Sequence, residues 1–261
     1  MKALSIAATG MLAQQLNVEV ISNNIANMTT TSFKRQRPEF QDLLYQNMRR
    51  IGAASSDAGT IAPSGIQIGT GVRAASIYRI TTQGNAVSTG NALDLSIQGK
   101  GYFQVELPNG NLAYTRAGTF QLSPDGEIVT AEGYIVSPGV VVPADATDIT
   151  INESGEVLVK LDGQVDPQNV GQLELVNFPN EAGLEAIGDN LYLESASSGT
   201  PGTGTPGTDG FGRLLQGFLE TSNVDAVAEI TALITAQRAY ELNSKVVTAV
   251  DEMMNATTQM R

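Results

Sequence analysis

Apolar residues recur every seven positions at the start of the chain, at Leu4, Met11, Val18 and Ile25. Three positions on, Ala7, Gln14, Ile21 and Met28 keep the same phase. This is an a/d seam of four heptads, with one polar position at Gln14, and it predicts a helix that packs lengthwise against another. The end of the chain carries two stripes. Ala239, Leu242, Val246, Ala249, Met253, Ala256 and Met260 follow strict 3-4 spacing, and Leu233, Ala236, Tyr240, Val247, Val250 and Met254 run beside them. Neighbouring residues are turned by about 100° around a helix, so the two stripes make a face too wide for one partner helix. A helix over 223–260 would be on the order of 57 Å long, against ~30 Å for a small domain. Left uncovered, such a face is a sticky patch. Two readings follow: the ends bury their stripes between subunits, or they form an ordinary intramolecular helical hairpin packed on a sheet. The length and width of the C-terminal face favour the first.

Between the ends the period changes. Residues 1–51 and 218–261 contain one glycine, Gly10, and one proline, Pro38, whereas 52–217 hold all the others. Glycine and proline interrupt helices and populate turns. Alternating runs are punctuated by turn sequences at Pro108-Asn109-Gly110, Pro124-Asp125-Gly126 and Pro138-Gly139, which reads as a series of hairpins. The run 148–163 is expected to turn at Glu153-Ser154-Gly155. The low-complexity stretch 195–212, SASSGTPGTGTPGTDGFG, is expected to be a flexible loop or linker. The fold class is therefore α+β, with long N- and C-terminal helices as an antiparallel coiled-coil-like pair and a central all-β domain of hairpins. The expected division is 1–32 with 217–261 as the helical domain, 33–72 as an extended linker or hairpin, and 73–216 as the β-rich domain.

Composition narrows the chemistry. The chain of 261 residues has no Cys, His or Trp, which removes disulfides, thiol catalysis, Cys/His zinc sites and Ser-His-Asp relays. Its net charge of −12 makes it a poor partner for nucleic acid. No stretch is long and apolar enough to span a membrane as a helix. Charge is unevenly spread: residues 1–50 carry six Lys/Arg and three Asp/Glu, residues 216–261 three and six. Lys34, Arg35, Arg37, Arg49 and Arg50 form the basic concentration, expected to contact acids such as Asp225, Glu229, Asp251 or Glu252, or to be a solvated face.

Catalytic readings are weak. Gly69-Thr70-Gly71-Val72-Arg73-Ala74 loosely echoes a dinucleotide loop, but strand-like sequence follows it where a helix is needed. The carboxylate pairs Asp125/Glu127 and Asp162/Asp166 lie at turns, where acids serve local geometry. Lys2 and the mild apolar stretch to Ala13 could suggest a signal peptide, yet the heptad phase set by Leu4 runs on through Met28, so the segment reads as structural. A secreted carbohydrate-binding or glycan-cleaving β protein with helical ends is the competing class.

Three stretches carry a resemblance. LSIAATGMLAQQLNVEVISNNIAN followed by TSFKRQRPEFQDLLYQ is similar to the N-terminal signature of bacterial flagellar rod and hook proteins. FLETSNVDAVAEITALITAQRAYELNSKVVTAVDEMM is similar to their C-terminal signature, and DLSIQGKGYFQV with YTRAGTFQLSPDGEIVTAEGY to their shared β core. SGIQIGTGVR at 64–73 and the insert between Tyr45 and Ile66 resemble the distal-rod branch, with a proximal rod member as the alternative. The family usually shows Asn and then Gly where this chain has Thr29 to Ser32, and without Gly the backbone freedom there is smaller.

The resemblance implies a structural, non-enzymatic axial subunit that polymerises into a rigid hollow shaft carrying torque from motor to hook. It implies export through the flagellar type III apparatus without a cleaved signal, and a place in the periplasmic cell-envelope part of the basal body. Implied partners are further copies in a helical polymer, proximal rod proteins, the hook protein, the P and L rings where an outer membrane exists, and a rod-cap protein during assembly. No cofactor, metal, small-molecule substrate or nucleic acid is implied. The helix pair would line the channel. Interface residues would be Leu4, Met11, Val18, Ile21 and Ile25 on the first helix, and Leu233, Tyr240, Leu242, Val246, Val247, Val250, Met253 and Met254 on the second. Segment 46–65 would bridge neighbouring subunits and stiffen the shaft.

Overall fold

The computed structural model describes residues 2–49, 64–164 and 166–259. They divide into two compact units. The helical unit holds residues 2–26, 36–49, 64–79 and 225–259, and the β unit holds 27–35, 80–164 and 166–224.

In the helical unit, α1 (Lys2–Ala26) is followed by the antiparallel strands β1 (Gln36–Asp42), β2 (Tyr45–Arg49), β3 (Ile66–Gly69) and β4 (Val72–Arg79), and the chain ends in α2 (Ala226–Gln259). The α2 helix runs 34 residues because nothing in it breaks the ladder: it has no glycine or proline. Asp225 starts it as an N-cap, its Oδ1 accepting the N–H groups of Val227 at 2.9 Å and Ala228 at 3.2 Å. The two helices pack against each other, the antiparallel pair that the heptad seam predicts. Strand β1 pairs with β4, with a bulge at Glu39/Phe40, and β2 pairs with β3. Gly69 to Ala74 form the β3–β4 turn and the start of β4 and open no helix. Gly71 has φ +131°, and an added Cβ would lie 2.2 Å from Thr9 Oγ1 on α1, so the turn needs glycine for both conformation and space.

The β unit is built from hairpins. Tyr102–Glu106 and Leu112–Thr115 pair across the Pro108-Asn109-Gly110 turn, and Ala146–Ile151 and Glu156–Leu161 pair across Glu153-Ser154-Gly155. In both, glycine supplies the positive φ, +79° at Gly110 and +83° at Gly155. The core gathers inward positions of these strands: Leu95, Ile97, Phe103, Val105, Phe120, Val157, Val159, Leu175 and Leu214 are buried, and Phe103 meets Phe120 edge to face at 5.0 Å.

One expectation is corrected. Residues 195–212 are not a flexible linker. Gly202–Gly204 pair as a strand with Leu175–Asn177. Ser198 is fully buried, Ser195 Oγ donates to the Gly183 carbonyl at 2.6 Å, and the Gly212 N–H donates to the Lys100 carbonyl at 2.7 Å. Small side chains let this backbone close on the unit and satisfy its own polar groups, which composition alone does not reveal.

Backbone also meets backbone where Gly118 lies on Leu95, whose N–H donates to the Gly118 carbonyl at 2.9 Å. An added Cβ would sit 1.6 Å from the Leu95 carbonyl oxygen. Gly118→Ala is expected to destabilise the β unit by about 3 kcal/mol, read as a lower midpoint in denaturant unfolding.

Candidate assembly interface

Two contacts set the register of the helix pair. Asn24 Nδ2 donates to Glu229 Oε2 at 3.1 Å, and a Cβ added at Gly10 would lie 3.0 Å from Asn243 Nδ2. Gly10, the one glycine of the terminal segments, lies against α2 there. Asn24 also clamps β1, its Nδ2 donating to the Gln36 carbonyl at 2.8 Å and its Oδ1 accepting the Gln36 N–H at 2.9 Å. Both Asn24 and Glu229 are buried.

This register decides what each stripe of α2 does. Glu229, Ala236 and Asn243 are turned toward α1, and Leu233, Val247 and Val250 on that side are half-buried. Tyr240 and Met254, at its margins, remain exposed. The other stripe points away: Leu242 is 62% exposed, Met253 60% and Val246 46%. On α1, Ile21 is buried and Leu4, Met11, Val18 and Ile25 are half-buried.

The basic residues are dispersed. Arg37 is exposed, pairs with Glu39 at 3.5 Å and lies over the Tyr78 ring at 5.2 Å. The Arg35 backbone N–H donates to Asn223 Oδ1 at 2.7 Å. Arg49 is exposed at the end of β2, and Arg50 lies outside the described residues. Lys34 does meet an acid, but it is Glu220 rather than Asp225, Glu229, Asp251 or Glu252. Asp225 caps α2, Glu229 takes Asn24, and Asp251 and Glu252 are exposed.

Glu220 is the centre of a buried ionic knot inside the β unit. Its Oε1 accepts from Lys34 Nζ at 2.5 Å and from the Gly84 N–H at 2.9 Å, and its Oε2 from Arg116 Nε at 2.7 Å. Arg116 spends its other donors on the carbonyls of Gly101, Ile97 and Gly99, and Lys34 donates to the Thr82 carbonyl at 3.0 Å. Ser32, at φ +57°, is held in that unusual conformation by its N–H on the Glu220 carbonyl and its Oγ on the Arg116 carbonyl, both 2.8 Å. Asn223 completes the junction, its Nδ2 reaching the Ile80 and Thr82 carbonyls. Burial raises the Glu220 carboxyl, but Arg116 and then Lys34 outweigh it and hold it below its ordinary value. Burial pulls the Lys34 ammonium below its ordinary value, and Glu220 restores only part.

Sequence reasoning missed Arg116, Glu220, Asn24 and Asn223. A signal existed for Arg116, a lone cation in the alternating run LAYTRAGTF, and for Glu220, a lone acid at the end of the last strand before the helix cap. At the turn that carries Asp125 and Glu127, the backbone N–H groups of both residues donate to Ser123 Oγ.

The comparisons with known proteins agree across the whole chain. Residues 4–34 match the family described as flagella basal body rod protein, 96–159 the flagellar hook protein FlgE/F/G D1 domain, and 215–260 the flagellar basal body rod FlgEFG protein C-terminal region. The chain is 63% identical, over all of both chains, to the flagellar basal-body rod protein FlgG of Caulobacter vibrioides. It is 51% identical to that of Agrobacterium fabrum across 99% of each, and 44% identical to that of Borreliella burgdorferi across 100% of this chain and 99% of the other. The chain belongs to the flagellar basal-body rod protein family. Membership makes it a structural subunit of the rod in the flagellar basal body. In this rod protein the knot joins, within one unit, the three segments that run on into the helices and strands of the other.

Glu220→Gln leaves two buried cations short of a charge and is expected to cost the rod protein about 3–5 kcal/mol. Because Glu220 titrates lower when folded, its contribution is fully present above its unfolded value of about 4.3 and is lost as pH falls through the folded one. The gap in melting temperature between wild type and Glu220→Gln should therefore be wide at pH 7 and shrink progressively as pH falls below about 4.3.

Proposed function

We propose that this rod subunit polymerises through its helix pair into the rigid hollow distal part of the rod, a drive shaft carrying torque from motor to hook, and that it catalyses nothing. One observation carries the reading: a 34-residue helix presents Leu242, Val246 and Met253 outward on the side its own α1 leaves uncovered. A lone soluble protein seldom displays a contiguous apolar stripe of this kind. The names of the relatives, each a basal-body rod protein, support the location.

The finer reading extends to export through the flagellar type III apparatus without a cleaved signal, a periplasmic position, and contacts with proximal rod proteins, the hook protein, P and L rings and a rod cap. Leu4, Met11, Val18, Ile21 and Ile25 with Leu233, Val247 and Val250 close the pair, and Tyr240, Leu242, Val246, Met253 and Met254 meet neighbouring copies. The segment 46–65, of which 50–63 lie outside the described residues, stiffens the shaft by bridging subunits. Its deletion is expected to give curved or flexible rods by electron microscopy; straight rods would refute that role.

Leu242→Ala separates interface from core. In the free chain Leu242 is mostly exposed, so its truncation should cost under about 0.5 kcal/mol of monomer stability. Buried between copies it should cost about 2–5 kcal/mol per contact, read as lost sedimentation of polymer at a concentration where wild type assembles. Unchanged assembly would mean that the outward stripe is not an interface.

A further inference from the structure

The sulfur of this chain is confined to its ends. There is no cysteine, and none of the seven methionines lies between Met48 and Met253. The core of the β unit accordingly contains no sulfur. On α2 the register leaves two methionines open. Asn24 lies across from Glu229 and Gly10 across from Asn243. Both pairs give the same register, which brings Lys2, the first residue of α1, level with Asp251. Past that level α2 runs on for about two turns, ending at Gln259. Every residue from Asp251 to Gln259 is exposed, Met253 by 60% and Met254 by 44%. Met253 also continues the outward stripe of Leu242 and Val246 at helical spacing. Met28 and Met48 are exposed elsewhere, and Met11 is half-buried on α1.

We propose that Met253 and Met254 form a site of reversible oxidation, at which a small peroxide turns both thioethers into sulfoxides in the free chain and so withholds that chain from assembly. The effect on assembly rests on the polymerising reading; the oxidation itself does not. In the step, the thioether sulfur attacks one peroxide oxygen, an S–O bond forms as the O–O bond breaks, and sulfur gives up two electrons. The other oxygen leaves as hydroxide and takes the proton shed by the sulfur-bound oxygen, becoming water. Access governs which sulfurs react, and the overhanging turns of α2 give it. The product replaces a flexible apolar side chain by a polar one on a stripe that has to lose its water between copies. The same oxidant finds no sulfur in the β core, so oxidation acts on assembly and spares that fold. Sulfoxide reductases return the thioether, which makes the change reversible.

Hydrogen peroxide added to the full chain, then removed, tests this. Peptide mass spectrometry should find oxygen on Met253 and Met254, and the denaturant midpoint of the β unit should not move. The concentration needed for sedimentable polymer should rise about tenfold or more, and methionine sulfoxide reductase should bring it back. Leucine keeps the volume and removes the sulfur, so Met253→Leu with Met254→Leu should assemble equally well before and after peroxide. Met28→Leu with Met48→Leu should remain as sensitive as wild type. Treated wild type that assembles at the untreated concentration overturns the site and leaves the polymerising reading intact. Loss of assembly with Met253 and Met254 still reduced, or equal loss in the chain with leucine at both positions, does the same. A wild-type chain that stays monomeric at every concentration before treatment overturns the polymerising reading and the effect on assembly together.

Discussion

The architecture depends on one carboxylate. Glu220, buried at the end of the last strand, takes two cations that reach it from distant parts of the chain, Lys34 and Arg116, and a backbone N–H from Gly84. A buried ion pair need not add net stability, because two desolvations can cost as much as the attraction returns. What it does impose is uniqueness. Each group is tolerable only with its partners, so segments 32–35, 80–84, 97–101, 116 and 220 have one satisfactory arrangement. Ser32 shows the strength of that demand: it keeps a left-handed backbone conformation, usually left to glycine, because its N–H and its hydroxyl both find carbonyls of the same knot.

Two kinds of surface serve two purposes. The β unit closes its apolar positions on itself around Phe103, Phe120 and the aliphatic residues beside them, and it covers its polar backbone even along the Ser/Thr/Gly stretch. The helix pair does the opposite. Gly10, Ala236 and Asn243 let the helices approach closely along one line, and small residues on that line leave the larger ones, Leu242 and Met253 among them, on the outside.

Much of this was legible in advance because it depends on local periodicity. The seam through Leu4, Met11, Val18 and Ile25 names a helix; the Asn-Gly and Ser-Gly turns name the hairpins. The excess width of the C-terminal face also comes from spacing alone. The stretch 195–212 misled for the same reason: its composition matches a linker, and only distant strand pairing with Leu175–Asn177 gives it a fixed shape.

By itself the sequence determined two long helices, a hairpin-rich middle, and an apolar surface larger than one chain can cover. Tertiary structure decided which stripe of α2 meets α1, because that choice follows from contacts 205 residues apart in sequence at Asn24 and Glu229. It also decided that Lys34 belongs to Glu220, 186 residues away, rather than to the acids of the C-terminal helix. The physical reason is the same in both cases. Periodicity encodes which side of an element is apolar, whereas the partner of a buried polar group is fixed only when folding brings remote segments within hydrogen-bonding distance and removes the water that would otherwise satisfy them.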